Sequence, residues 1–357
     1  MGYNPRVIPA QHLNHVSVIM SHCRQRQLLW GIAAGAAASL GAIWLRRGQV
    51  TRAGLADQIE DVTRQAIQQL GVAAESRFIS VNGLQLHTVI AGPRDGQLIV
   101  LLHGFPENWT AWRRSIKPLV DAGYRVVVPD QRGYNLSDKP DGIHNYRLDA
   151  LASDVRELIR SFERDRAVIV GHDWGGSVAW QLAMDHPEVV EKLIIINASH
   201  PAAFRREIRE NPAQQQKSWY MAAFQLPWLP ELLLGQSPLA TTDLFFRKGA
   251  VNQEAYSSYD LHGLAVSMSQ PGALTAMLNW YRAPLRNWSS SQTRQIDTPT
   301  LLIWAEQDIA LGKSLTYGLD QWVTHLKIHY IPNCGHWVQN EAPAEVNAQL
   351  LEFIVDK

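Results

Sequence analysis

An α/β fold, a mostly parallel sheet with helices on both faces, is predicted by three features of the sequence. Short apolar runs of strand length recur, helix-length amphipathic stretches separate them, and the runs lack the alternation of a half-exposed strand. Strands apolar on both faces belong in a parallel sheet buried between helical layers. Composition allows such a core: of 357 residues, 46% are hydrophobic and 18% charged.

Taken in order, residues 1–27 form an N-terminal extension. Leu28 to Leu45 then reads LLWGIAAGAAASLGAIWL, eighteen residues without a charge, bracketed by Arg24 and Arg26 before and Arg46 and Arg47 after. As a helix it is about 27 Å long, close to the roughly 30 Å hydrocarbon core of a bilayer. Trp30 and Trp44 suit the two interfaces, and the arginines can snorkel to headgroups. The leading reading is an uncleaved single-pass transmembrane helix contacting the lipid bilayer, of endoplasmic-reticulum type in a eukaryote. A cleaved signal peptide and a soluble helix are the alternatives. Basic residues flank both sides equally, so the positive-inside rule sets no orientation. Gly31 and Gly35 make a GxxxG pair, a spacing that arises easily by chance in so Gly/Ala-rich a run, so a homodimer is open but unsupported.

Residues 46–76 read as a linker with an amphipathic helix over Ala56 to Leu70, which places Ile59, Val62, Ile67 and Leu70 on one face. An alternating hairpin follows, Phe78 to Val81 and Leu84 to Ile90, turned at Asn82 and Gly83. The buried runs come next: Leu98 to Leu102, Val126 to Val128, Ala167 to Val170, Leu193 to Ile196 and Leu301 to Trp304, with a weaker one from Leu326 to Ile331. The rhythm stops after Ser199 and resumes near Thr298. The interval holds Pro227, Pro230, Pro238, Pro271 and Pro284, with helix-like pieces and no convincing buried strand. It is expected to be a helical cap, residues 200–285, inserted after the sixth strand over the strand ends where ligands bind in open α/β sheets. Residues 77–199 and 286–357 then form the core.

Several function classes are disfavoured at this point. Lysine plus arginine and aspartate plus glutamate number 33 each, so no global positive field exists to hold nucleic acid. Cys23 and Cys334 cannot staple a small fold, and no CxxC or HExxH spacing offers a metal cage. No cofactor and no metal are expected.

The informative residues sit where the apolar runs end. The run ending at Val170 passes into Gly171-His172-Asp173-Trp174-Gly175-Gly176 and then a helix, Ser177 to Asp185. Small residues on both flanks permit the strained strand-to-helix turn of a nucleophile elbow, with Asp173 as the exposed residue. An aspartate merely capping a helix is the alternative, but three glycines exceed what a cap requires. No GxSxG occurs, so a serine esterase has no nucleophile. A carboxylate nucleophile attacks saturated carbon and leaves an alkyl ester that activated water must cleave. His336, in Asn333-Cys334-Gly335-His336-Trp337, is the candidate base, and Asp308, in Ala305-Glu306-Gln307-Asp308, its orienting acid, with Glu306 as fallback. Nucleophile, acid and histidine in this order belong to the α/β-hydrolase fold. In that fold the backbone amides of Phe105 and Trp174 are the expected oxyanion hole, while His103 and His172 read as scaffold.

HGFPENWTAW (103–112), RGYNLSD (132–138), GHDWGG (171–176), WAEQD (304–308) and GHW (335–337) resemble the α/β-hydrolase-fold epoxide hydrolases from about Phe78 to the C-terminus. With the apolar run, the resemblance is nearest to N-terminally membrane-anchored animal members. HGFP or DWGG alone is shared with dehalogenases. One departure is Asn135, where the pattern usually has glycine; asparagine tolerates a left-handed backbone. The resemblance implies two cap tyrosines that donate to the epoxide oxygen, matched by Tyr220 in SWYMAAFQLP and Tyr281 in NWYRAP, whereas Tyr256 and Tyr259 lack such context and read as packing. It implies hydrolysis of a lipophilic epoxide to a vicinal diol with water as co-substrate. A haloalkane or haloacid dehalogenase using the same aspartate, with Trp174 on the halide, and an inactive membrane-tethered binding module are the alternatives.

Overall fold

The computed structural model describes residues 52–286 and 293–356. The expected membrane helix, 28–45, and Cys23 lie outside the described residues; among those described, no helix is long and apolar enough to cross a membrane.

One sheet carries the strands β1 (Ala74–Val81), β2 (Leu84–Ala91), β3 (Leu98–Leu102), β4 (Arg125–Pro129), β5 (Ala167–His172), β6 (Val190–Ile196), β7 (Thr300–Ala305) and β8 (Leu326–Ile331), in the order β1-β2-β4-β3-β5-β6-β7-β8. β2 runs antiparallel to β1 and β4, and the rest pair in parallel. The core strands β3, β5 and β7 are buried at every residue, as their unbroken apolar runs require. β1 begins at Ala74, inside the stretch expected to be linker, and not at Phe78. Its outer residues Ser76, Arg77 and Phe78 are exposed on an edge paired on one side only, so no hydrophobic pattern announces them.

Helices cover both faces. In chain order they are α1 (Arg52–Gln68), α2 (Arg113–Asp121), α3 (Leu148–Ser161), α4 (Trp174–Asp185), then α5 (Pro201–Glu210), α6 (Pro212–Lys217), α7 (Trp219–Ala223), α8 (Leu229–Gly235), α9 (Pro238–Thr242), α10 (Ser258–Met268) and α11 (Ala273–Arg286), and finally α12 (Val338–Glu341) and α13 (Pro343–Val355). Alternate residues of β3 divide between two cores. Ile99 and Leu101 join Trp109, Ile116 and Phe353 on one side; Leu98, Val100 and Leu102 join Leu158, Val178 and the cap residues Met277 and Trp280 on the other.

Helices α5 to α11 are the cap between β6 and β7. Of the prolines that interrupt the sequence rhythm, Pro230 and Pro238 occupy the first turns of α8 and α9, as Pro201 and Pro212 do in α5 and α6, where a missing N–H costs nothing, whereas Pro284 lies inside α11. The linker helix starts four residues before the expected Ala56 and ends at Gln68, two short of the expected Leu70; Ile59 of the predicted face is buried within it, and Leu70 in the turn that follows. It bridges core and cap, because Ala66 and Leu70 pack with Trp109 and Ile116 while the Tyr259 hydroxyl of α10 donates to the Val62 carbonyl at 3.0 Å.

Candidate active site

The turn after β5 brings the chemistry to the strand ends. Asp173 has φ +50°, a left-handed conformation that a non-glycine residue adopts only under local constraint, and α4 starts at the very next residue instead of at Ser177. Close packing imposes it. A Cβ on Gly175 would lie 2.3 Å from the Leu102 carbonyl oxygen, and one on Gly104 would lie 2.4 Å from the Asp173 Cβ. Asp173 precedes α4 but its side chain caps nothing. Instead Oδ1 accepts the Phe105 backbone N–H at 2.8 Å, and Oδ2 faces His336 Nε2 at 3.6 Å. The Trp174 N–H, at the first position of α4, has no acceptor within its own helix.

His336 follows β8, and its Nδ1 lies 2.7 Å from Asp308 Oδ2 after β7. Asp308 is held from every side: Asn197 Nδ2 donates to Oδ2 at 2.6 Å, and the Ala310 and Leu311 amides donate to Oδ1 at 2.7 and 2.9 Å. Glu306 instead pairs with Lys313, partly exposed. Burial pushes the Asp308 carboxyl up, but His336, Lys217 and the Asn197 bond outweigh it and bring it down to about 2. For Asp173, burial is again opposed by the hydrogen bond and charge of His336, by His172 and by the Phe105 amide, and the net direction is down. Burial works to lower His336, yet the two carboxylates, Asp308 foremost, hold its imidazole well above the ordinary range. The two carboxylates that flank the ring thus favour its protonated form.

Opposite this triad the cap supplies Tyr220 from α7 and Tyr281 from α11, whose rings meet edge to face at 5.9 Å. The Tyr281 ring is also edge to face with Trp174 at 4.9 Å, Phe224 at 5.0 Å and Phe105 at 5.1 Å. Asp173, Trp174, Tyr220 and Tyr281 line one cavity of about 380 Å³. Burial above all, with Asp173 and Asp308 adding, drives the Tyr220 phenol up; burial, then Tyr220 and Asp173, do so for Tyr281. Both are neutral hydroxyl donors at any ordinary pH.

Two supports escape the sequence reading. Asn197, directly after β6 and itself left-handed at φ +41°, holds Asp308 with its amide nitrogen and accepts the Ala305 N–H of β7 at 2.8 Å with its amide oxygen. Its only signal is a polar residue at a strand end. Fully buried Glu107 lies 3.1 Å from His172 Nδ1 and accepts from the Tyr256 hydroxyl at 3.1 Å, while His172 Nε2 donates to the His336 carbonyl at 2.9 Å. Tyr256 is thus more than packing, and His172 bonds beyond its own turn. His103 likewise reaches beyond its turn, with Nδ1 3.0 Å from the Gly104 carbonyl and Nε2 accepting the Gln131 N–H at 3.1 Å. Asn135 takes the left-handed conformation at φ +44° and donates to Asp130 at 2.7 Å. Cys334 is buried and free.

A β5 elbow bearing an acid, a histidine after β8 and a cap between β6 and β7 define a capped hydrolase of the α/β class. The chain belongs to the alpha/beta hydrolase fold family, which it matches over residues 97–343. It is 46% identical over 280 residues to the AB hydrolase superfamily protein YfhM of Bacillus subtilis, covering 78% of this chain and 97% of that protein. It is 37% identical to epoxide hydrolase 1 of Caenorhabditis elegans, covering 78% of this chain and 70% of that one. A Bacillus megaterium epoxide hydrolase, solved with an inhibitor, superposes with a TM-score of 0.73 at 30% identity, over 78% of this chain and all of that one.

Proposed function

We propose that this protein is an epoxide hydrolase that opens a lipophilic epoxide through a covalent ester on Asp173. With Oδ1 on the Phe105 amide, Oδ2 attacks a ring carbon; the carbon–oxygen bond breaks, and the departing oxygen takes a proton from Tyr220 or Tyr281. Ester formation removes one of the two carboxylate charges that keep His336 protonated. Its basicity falls, and its proton returns to the tyrosinate left by ring opening. The neutral ring, steadied by Asp308, then deprotonates the water that attacks the ester carbonyl, later giving that proton to the departing alkoxide. The Phe105 and Trp174 amides face the resulting oxyanion, and collapse releases the diol.

The observation that carries this reading is the pair of neutral phenols sharing a cavity with an ionised aspartate. Halide needs no proton to depart, so a dehalogenase has no use for two such donors. In one turnover in isotopically heavy water, the peptide bearing Asp173 is expected to gain label while the diol does not. Label in the first-turnover diol and none in the protein would sink the ester.

The substrate is read as lipophilic because Trp174, Phe204, Met221 and Leu311 line the same cavity. Residues 28–45 we read as a bilayer anchor on their uncharged length and flanking arginines, as in the membrane-anchored animal members. Carbonate extraction should leave the full chain with membranes, while a chain starting near Ala53 should be active without them.

A further inference from the structure

From Trp219 to Ala240 the cap surface carries a single charge, Glu231, and that carboxylate is bound by Arg282 at 2.7 Å. The same stretch exposes large apolar side chains: Leu226 at 48%, Trp228 at 69%, Leu232 at 50% and Leu239 at 52%. Trp228 caps the start of α8, and one turn on, the Leu232 N–H bonds the Trp228 carbonyl at 2.9 Å, so the two side chains lie close along the same side. Trp228 also holds φ +52°. A bulky side chain in the left-handed region is strained, and glycine or asparagine would sit there at lower cost, so the fold tolerates strain to present a tryptophan to the outside. An exposed apolar patch of this kind marks a contact surface.

We infer that the 226–239 face of the cap rests in the interfacial layer of a lipid bilayer and hands membrane-dissolved substrate to the cavity. Uncharged lipid interface is the environment that a tryptophan, leucines and no free charge fit, since a tryptophan ring settles at headgroup depth and leucines below it. On the anchor reading, the sequence leaves only residues 46–51 between the apolar run and α1, a tether of about 20 Å at full extension. α1 in turn packs on cap helix α10. The patch is also wired to the site. Arg282, next to Tyr281, donates to the Phe224 and Leu226 carbonyls, both at 2.9 Å, and Gln225 donates to the Tyr281 carbonyl at 3.2 Å. The turn that presents Leu226 and Trp228 is therefore bonded to the helix turn that presents a proton donor.

The kinetic part of the test rests on the epoxide and anchor readings; the optical part does not. The full chain is reconstituted in phosphatidylcholine vesicles and given either a long-chain epoxide dissolved in the bilayer or a small water-soluble epoxide. Replacing Trp228→Ser together with Leu232→Ser is expected to lower kcat/KM about tenfold for the bilayer-held epoxide and leave the soluble one unchanged. Equal rates with both substrates, or equal losses, overturn the inference. In parallel, vesicles whose lipids are brominated near the headgroup should quench wild-type fluorescence more than that of Trp228→Phe, and identical quenching overturns it. So does a cross-linked dimer that the double replacement abolishes, because a second copy would then cover the face. Failure of the anchor would appear separately, as release of the full chain by carbonate, and failure of the epoxide reading as no diol from either substrate.

Discussion

Around Asp173 and Asp308 every carboxylate oxygen has a polar partner at a defined distance, whereas the rings of Tyr220 and Tyr281 are surrounded mainly by other rings. The strand-end half of the site is positioned by directional bonds, and the cap half by packing. The difference follows from charge. A buried carboxylate or imidazolium must be compensated atom by atom, while a neutral phenol needs only to be kept in place with its hydroxyl free to donate. If this division is right, the two halves should fail in different ways when altered.

Asp173→Ala should cause the largest loss, at least about 10⁴-fold in kcat, with no alkyl-enzyme by intact mass. His336→Gln comes next: turnover should fall by roughly 10³-fold or more while ring opening survives, so the alkyl-enzyme accumulates and is visible as added mass. Loss of alkylation as well would mean that the histidine positions the nucleophile. On the cap side, Tyr220→Phe or Tyr281→Phe should each slow ring opening by about 10 to 1000-fold, and the pair should nearly abolish it. Thermal stability should hold to within about 1 kcal/mol, since shape and apolar area are kept. A large stability loss in the pair would show that the cap half, too, depends on directional bonds.

Acid should separate the halves at the level of stability. The Asp308 pKa of about 2 lies below its unfolded value near 4, so the stability it contributes is full above about pH 4 and is lost as pH falls through about 2. His336 is raised, so its contribution is full below its ordinary pKa and is lost as pH rises through the elevated one. Between pH 4 and pH 2, Asp308→Asn should therefore flatten the fall in Tm relative to wild type, and Tyr281→Phe should leave the slope unchanged. The smallest effect belongs to the linker helix. Tyr259→Phe removes one bond between α10 and α1, which should cost about 0.5 to 1.5 kcal/mol by denaturant unfolding without touching kcat.

The same contrast explains what the sequence reveals. Where a strand buried on both faces ends, its apolar run stops abruptly, so the turns holding Asp173 and Asp308 stand out, while His336 follows the partly buried β8, whose weaker run marks its turn less sharply. The cap offers no such frame: its helices are short, several start on a proline, and Tyr220 and Tyr281 are picked out by resemblance and not by periodicity. Residues that act through others are harder still. Asn197 is a single polar residue after an apolar run, Glu107 sits in a loop beside Asn108, and only the fold brings them to Asp308 and His172. The start of β1 is hidden for the opposite reason, because an edge strand with one wet side carries too little pattern to mark where it begins.

Asn197 also marks a seam. β6 and β7 are neighbours in the sheet, so the whole cap is a detour between two strands that already touch. Such a detour can be exchanged without reordering the sheet, which makes it the natural unit for recombining substrate preference between relatives. The exchange has a boundary, however. A graft cut after Ser199 leaves the asparagine with the recipient, together with its clasp on β7 and on Asp308. One cut a few residues earlier would import a foreign residue into that clasp, and the hybrid would inherit a new pocket but an acid without its anchor.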